Sequence, residues 1–199
     1  MGYQPRYGVH EGAAQITPER LTAAIQEFVQ ADSEHGKRAQ AIVAGLLDVY
    51  ATPARVESGR INDPSRKYPG DVCVRSEGDA EAWDKALEVR DKPVAVSDVQ
   101  IFGKKCVDMR VREAAVVMVS DQQPVLDAVY LAQWAAGFGL GLSLFHGWPE
   151  FVDQALFWSA LPKFVGASQA VEFIHQRLVA VEAAPESVAL WSQLTTAAS

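Results

Sequence analysis

Two short runs in the middle of the chain combine carboxylates and cations at spacings that suit metal-dependent chemistry. The first is Tyr68-Pro69-Gly70-Asp71-Val72, and the second is Leu87-Glu88-Val89-Arg90-Asp91-Lys92-Pro93. Because side chains alternate along a β-strand, Glu88, Arg90 and Lys92 are predicted to share one face, with apolar residues on the other. The apolar face would anchor the strand, and the charged face would line a surface.

The two runs are predicted to be neighbouring strands of a hairpin. If the hairpin is centred near residue 79, Asp71 lies opposite residues 87–88 and can approach Glu88. Two carboxylates this close repel unless a cation lies between them, and carboxylates with water suit Mg²⁺. The cation two residues after Glu88 would point to the same place. There it could stabilise charge on an attacking water or on a phosphoryl oxygen.

This arrangement resembles the PD-(D/E)XK nuclease superfamily, in which an Asp on one strand is followed by (Asp or Glu)-x-Lys on the next. More closely, the chain resembles the SacI family of type II restriction endonucleases over roughly residues 33–145. The runs that carry this resemblance are His35–Lys37, Pro69–Val72, Glu88–Val94, Asp98–Val99 and Ala114–Ser120.

The resemblance implies a type II site-specific deoxyribonuclease, a hydrolase that cleaves double-stranded DNA in restriction-modification, with Mg²⁺ as its cofactor. It implies that Asp71 and Glu88 are the metal ligands and that water attacks a phosphodiester there. Gln40 stands where many superfamily members place a Glu or Gln beside the metal. Arg90 departs from the superfamily pattern, which has Lys; arginine keeps the charge but cannot lose a proton, so electrostatic stabilisation is its remaining role. Lys92, on the same predicted face, could substitute for it.

Charge is concentrated in the middle of the chain. The 199 residues carry 18 basic and 25 acidic side chains, a net charge of −7; residues 52–112 hold 12 of the basic ones against 11 acidic ones. Overall acidity argues against a protein that binds nucleic acid over its whole surface, since such proteins are usually basic. The near-neutral middle instead predicts a salt-sensitive DNA contact on one face. The basic residues that could contact the DNA backbone, rather than forming a solvated surface, are Arg55, Arg60, Arg66, Lys67 and Lys104.

The order of the predicted elements gives an α/β fold with a restriction-endonuclease-like αβββαβ core, a mixed sheet flanked by helices, and extra C-terminal helices. Residues 1–32 are predicted to be an N-terminal helical extension, 33–145 the nuclease core, and 146–199 a helical region packed on that core within one globular domain. Predicted helices lie near 18–31, 39–50, 97–105, 124–136, 149–160, 168–181 and 185–194, and predicted strands near 55–57, 71–74, 86–90, 114–119 and 139–144.

The composition also bears on the cellular compartment. The 22 residues of Ala128–Pro149 carry no charged side chain, but their glycines and polar residues favour buried core over a membrane span. The two cysteines, Cys73 and Cys106, are too few for a disulfide framework, and the start of the chain does not resemble a signal peptide. A reduced, cytoplasmic protein is therefore expected.

Two alternatives to an active nuclease stay open at this point. One is a catalytically silent nuclease-like domain that binds DNA or a partner protein. The other is an assembly subunit, suggested by the acidic, aromatic-rich C-terminal half. For an active enzyme, a homodimer would suit the cutting of both strands of a palindromic site. A partner subunit that supplies specificity is the other expectation, because the chain is short for both cleavage and recognition.

Overall fold

The computed structural model describes residues 16–58 and 68–196. By its internal contacts the chain divides into two compact units, one formed by residues 1–53 and 152–199 and the other by residues 54–151. The first unit is helical, and the second contains the sheet. The predicted α/β class and the αβββαβ order are confirmed, whereas the predicted boundaries at residues 32 and 145 stay predictions.

The sheet has five strands in the order β1-β2-β3-β4-β5. β2 is antiparallel to both β1 and β3, whereas β3, β4 and β5 are parallel to one another, so the sheet is mixed as predicted. The strands are β1 (Val56–Ser58), β2 (Val72–Ser76), β3 (Asp79–Arg90), β4 (Val111–Met118) and β5 (Gly141–His146). The helices are α1 (Pro18–Ala31), α2 (Lys37–Ala51), α3 (Val96–Asp108), α4 (Ala128–Ala136), α5 (Gly147–Trp158), α6 (Lys163–Ala180) and α7 (Pro185–Thr195).

The β2–β3 hairpin has an irregular register that the sequence analysis did not foresee. The sequence pattern predicts the second strand of this hairpin only from near residue 86, whereas β3 already begins at Asp79. From the Ser76–Asp79 pairing a regular ladder would place Val72 opposite Trp83, but two irregularities shift Val72 to Leu87. A bulge adds residues to one strand while pairing continues beyond it. The predicted centre near residue 79 therefore holds for the half of the hairpin that contains Asp71.

One face of this sheet packs against α3 and α4. Its core includes Cys73, Ala86 and Val116 from the strands with Phe102 and Cys106 from α3. Cys73 pairs with Ala86, and Asp71 and Glu88 each lie two residues further along the same two strands. Side chains alternate between faces, so both carboxylates are on the face that α3 covers.

Two helix starts differ from their predicted positions. α3 begins at Val96 after Ala95, and Asp98 accepts a hydrogen bond from the Ala95 N–H at 2.8 Å rather than occupying the cap position itself. α4 begins at Ala128 rather than near Pro124, because the Asp127 side chain caps the Tyr130 N–H at 2.9 Å. In both helices an aspartate carboxylate accepts a hydrogen bond from a backbone N–H at the helix start that has no partner within the helix.

The helical unit is built around the contact between α2 and α6. A Cβ placed on Gly45 of α2 would lie 2.6 Å from the backbone nitrogen of Ile174 in α6, so this close approach requires glycine. Asp48 of α2 also forms an ion pair with Arg177 of α6. Apolar packing and one charged pair thus join the two helices.

Within the described residues, no helix is both long and apolar enough to span a bilayer. The uncharged run Ala128–Pro149 instead supplies α4, β5 and the start of α5.

Candidate active site

Asp71 lies immediately before β2, and two hydrogen bonds join it to β3. Its N–H donates to the Leu87 carbonyl at 2.8 Å, and its Oδ2 accepts from the Val89 N–H at 2.9 Å. Leu87 and Val89 are the chain neighbours of Glu88. The backbone of β3 therefore holds Asp71 opposite Glu88, in the position that the hairpin spacing predicted.

Gly70 allows this close approach. A Cβ on Gly70 would lie 2.6 Å from the Leu87 carbonyl oxygen and 3.1 Å from the Leu87 backbone nitrogen. These are backbone atoms of a sheet, which cannot move aside without breaking the pairing. The Pro69-Gly70-Asp71 run is thus explained by packing, since glycine lets the chain pass close to β3 and present the next residue.

We expect Gly70→Ala to destabilise the fold by roughly 1–3 kcal/mol, the range for steric conflict at a special backbone position. The added methyl group would push the start of β2 away from Leu87 and displace Asp71 with it. Urea unfolding followed by circular dichroism measures the loss. Gly78→Asn is the control, because Gly78 has φ of +82° with nothing within 4 Å of its Cβ position, and asparagine tolerates that backbone conformation. Equal stability of Gly70→Ala and wild type would contradict this account.

An aromatic contact holds the segment that leads to Asp71. The ring of Tyr68 packs edge-on against Trp83 with centroids 5.9 Å apart. The Arg75 guanidinium lies over the Trp83 ring, 4.5 Å from its centroid. Arg75 also donates to Glu57 on β1 at 3.1 Å. Burial raises the pKa of the Tyr68 hydroxyl. This packing positions the chain on the N-terminal side of the site.

Glu88 is the more shielded of the two carboxylates, with 17% of its side chain exposed. Burial raises its pKa and the nearby Asp71 carboxylate raises it further, while Arg90 and Lys105 act in the opposite direction. Burial likewise raises the pKa of Asp71, against the Val89 N–H, Arg90 and Lys105, even though Asp71 is at the surface. Two desolvated carboxylates that repel each other form a site that a cation would stabilise.

We expect Glu88→Gln to raise the melting temperature in the absence of divalent ions. The neutral amide removes the free-energy cost of burying a negative charge. That cost is larger than the stabilisation that the Glu88 carboxylate gains from the half-exposed Arg90. A gain of about 1 kcal/mol would appear as a shift of about 2–4 °C in a chain of this size. Differential scanning calorimetry at neutral pH measures it. Glu81→Gln, an exposed carboxylate on the same strand, is expected to leave the melting temperature unchanged; a lower melting temperature for Glu88→Gln would contradict the prediction.

The cations near the pair are Arg90 and Lys105. Arg90, the last residue of β3, has 50% of its side chain exposed and forms an ion pair with Glu88. Lys92 lies two residues beyond the end of β3 and is exposed, so the strand alternation that grouped it with Glu88 does not reach it. Lys105, on α3, was not selected among the DNA contacts predicted from the sequence, which included Lys104 instead. The signal was present, because at about 100° per residue Lys104 lies opposite the buried positions Phe102 and Cys106.

The other predicted site residues are placed as follows. Arg55 donates to Glu77 at 2.8 Å and to the Arg75 carbonyl at 2.8 Å, and it pairs with Asp84, so its guanidinium ties β1 to the hairpin. Its contact with DNA stays a prediction. Gln40 is buried on α2 in the helical unit. Lys104 is exposed on α3, while Arg60, Arg66 and Lys67 lie outside the described residues.

The two cysteines form part of the apolar support beneath the carboxylates. Cys73 and Cys106 are both buried thiols. Burial raises the pKa of Cys73 to about 12, and it raises the pKa of Cys106 as well. Since the thiolate is the reactive form, both groups are inert at neutral pH. The expectation of reduced cysteines agrees with this burial.

The donor set fits Mg²⁺ better than a softer metal. Over residues 16–58 and 68–196 there is no cluster of three or more His, Cys, Asp and Glu side chains that could hold a metal ion. Asp71 and Glu88 are two carboxylates that the hairpin places opposite each other. Mg²⁺ is commonly bound through one or two carboxylates and keeps several waters. These two residues could hold such an ion, whose charge would offset their mutual repulsion.

Two comparisons with known proteins relate the chain to restriction endonucleases. The family model described as the SacI restriction endonuclease C-terminal domain matches residues 14–119. The type II restriction enzyme SacI of Streptomyces achromogenes is 39% identical over 87 residues, which cover 44% of this chain and 23% of that enzyme. The chain therefore spans about a quarter of this relative. The residues matched by the family model include Asp71, Glu88 and Arg90.

Proposed function

Because the chain belongs to the family of the SacI restriction endonuclease C-terminal domain, we propose that it is a Mg²⁺-dependent endonuclease of the PD-(D/E)XK type that hydrolyses double-stranded DNA. The aligned segment is 23% of the restriction enzyme. The proposal for this chain therefore depends on its own residues. The observation that carries it is the carboxylate pair, Asp71 held opposite Glu88 by hydrogen bonds to both neighbours of Glu88.

In this proposal Asp71 and Glu88 hold the metal ion. A divalent ion in such a site lowers the pKa of water and neutralises charge on a phosphoryl oxygen. The reaction is hydrolysis: the oxygen of water adds to phosphorus, the bond to one sugar oxygen breaks, and that oxygen leaves with a proton. Asp71 keeps its orientation throughout, because the Val89 N–H binds its Oδ2.

Arg90 is proposed to stabilise negative charge rather than to move a proton. Its guanidinium pairs with Glu88 in the absence of substrate and is half exposed, so it can turn toward a bound phosphate at modest cost. Arginine binds phosphate oxygens through two parallel N–H donors. Lys92 is the alternative donor, on the exposed segment after β3.

The partners of the chain are also proposals. Cutting both strands of a symmetric site needs two active sites, which a homodimer supplies. A specificity-providing partner subunit is the second arrangement, consistent with the fraction of the relative that this chain spans. Action in DNA restriction would place the protein in the cytoplasm.

Incubation of a supercoiled plasmid with and without Mg²⁺ tests the function. The proposal predicts linear or nicked DNA with Mg²⁺ and intact DNA with a chelator, with cut ends that map to defined sequences. Cleavage that is equal in both conditions would contradict metal dependence. DNA binding without nicking under any divalent ion would instead identify a catalytically silent, nuclease-like binding protein.

A further inference from the structure

Lys105 lies at the edge of the α3 surface that covers the carboxylate pair. The buried side of α3 includes Phe102 and Cys106. At about 100° per residue, Lys105 is about 60° from Phe102 and about 100° from Cys106 around the helix axis. The neighbouring Lys104 is about 160° from both. Lys105 therefore flanks the sheet, whereas Lys104 points away from it.

The direction of α3 also brings Lys105 back along β3 from the end at Arg90. α3 connects two parallel strands, β3 and β4, so it runs back along β3 from the end at Arg90. From Val96 to Lys105 the helix rises about 14 Å, which equals about four residues of a strand. Helical side chains lean toward the N-terminus of the helix, so the four-carbon stem of Lys105 can reach toward the level of Glu88.

Independent contacts agree with this placement. Cys106, the next residue, packs in one apolar cluster with Cys73 and Ala86, the cross-strand pair beside Asp71 and Glu88. The positive charge of Lys105 lowers the pKa of both the Asp71 and the Glu88 carboxyl. Lys105 itself is exposed, and within the described part of the chain it forms no ion pair.

We propose that Lys105 is a phosphate-contacting residue of this site, which supplies from α3 the ammonium group that the strand lacks because Arg90 stands there. The inference rests on the proposed nuclease function and adds a residue to it. Arg90 is engaged with Glu88, and Lys105 approaches the pair from α3. An anionic phosphate bound at the carboxylates would then have cations from two elements, the strand and the helix. A point charge on a flexible stem suits this role, since it needs no fixed angle to the phosphate.

The test compares Lys105→Gln and Lys105→Arg with the unaltered protein. Arg112→Gln is the control for net charge, because Arg112 is exposed on β4 and contacts Asp84. Single-turnover plasmid cleavage with Mg²⁺ is expected to slow by about 10²–10³-fold in Lys105→Gln, the effect of losing one charge-stabilising donor. Lys105→Arg should recover part of the rate. A loss in Arg112→Gln as large as in Lys105→Gln would overturn the assignment.

A second readout does not depend on cleavage. With Ca²⁺ in place of Mg²⁺, the affinity for plasmid fragments is measured against salt concentration. Loss of one phosphate contact reduces the slope of log K against log salt by about one. We expect this change in Lys105→Gln and not in Arg112→Gln. If wild type binds DNA with this dependence on Lys105 but never cuts, the nuclease function fails and the phosphate contact stands. An unchanged slope in Lys105→Gln would overturn the contact.

Discussion

Replacement of either carboxylate, Asp71→Ala or Glu88→Ala, is expected to abolish plasmid cleavage, with a fall in rate of about 10³-fold or more. Each variant removes one of the two carboxylates proposed to hold the ion, so the ion binds more weakly and is no longer fixed where it would activate water. Asp71 is exposed and burial of Glu88 already disfavours its charge, so both variants are expected to fold, and circular dichroism of each separates a loss of chemistry from unfolding. Single-turnover cleavage with saturating protein measures the effect.

Asp91→Ala is the matched control for this experiment. Asp91 is an exposed carboxylate directly after β3, three residues from Glu88. Its removal changes the net charge by the same amount but leaves both proposed ligands in place. We expect its cleavage rate to stay within about twofold of wild type. Full activity in both Asp71→Ala and Glu88→Ala would rule out the proposed site, and a partial loss shared equally with Asp91→Ala would point to charge alone.

The second large effect is expected in the helical unit, where Arg177→Ala should cost about 3–5 kcal/mol of folding free energy. Arg177 donates to both carboxylate oxygens of Asp48, at 2.7 Å and 2.6 Å. Only 2% of the Asp48 side chain and 15% of the Arg177 side chain are exposed. Loss of the arginine leaves a buried carboxylate without its main charge partner. Urea unfolding followed by circular dichroism measures the cost.

The cost should depend on pH in a defined direction. Burial raises the pKa of Asp48 even with Arg177 present, and Arg177 opposes that increase. Without Arg177 the pKa rises further, so the folded state binds a proton more readily than the unfolded state. Stability then falls as the pH rises, and the deficit of Arg177→Ala should be smaller at pH 4 than at pH 7.

An apolar replacement of the whole pair serves as the control. The double variant Asp48→Leu/Arg177→Met removes both charges, and such replacements of buried ion pairs are often neutral or stabilising. We expect it to recover most of the stability that Arg177→Ala loses. A double variant as unstable as the single one, or an equal deficit at both pH values, would show that the carboxylate charge is not the cause.

The site could be predicted from sequence to the extent that it follows from strand periodicity. Alternation placed Glu88 and Arg90 together on one face, and pairing about residue 79 placed Asp71 opposite Glu88; the register agrees. The agreement depends on bulges near Val74 and Arg75 that the sequence does not reveal. Beside them Trp83 packs against Tyr68 and Arg75, a contact between residues from three parts of the chain.

The cation on α3 illustrates what a local pattern misses. Lys104 and Lys105 are adjacent and chemically identical, so composition alone cannot rank them. Which of the two flanks the sheet depends on the helix phase, and that phase is set by burial of Phe102 and Cys106. The Asp48–Arg177 pair was likewise beyond reach, because its members are 129 residues apart and meet only when α2 packs on α6.

The account depends most on the claim that Asp71 and Glu88 hold a divalent ion. Titration with Mn²⁺, followed by the paramagnetic resonance of the unbound ion, counts the ions held per chain and their affinity. We predict one saturable site in wild type that Mg²⁺ competes for, and at least tenfold weaker binding in both Asp71→Ala and Glu88→Gln. Mn²⁺ binding of the same strength in wild type and both variants would contradict the account.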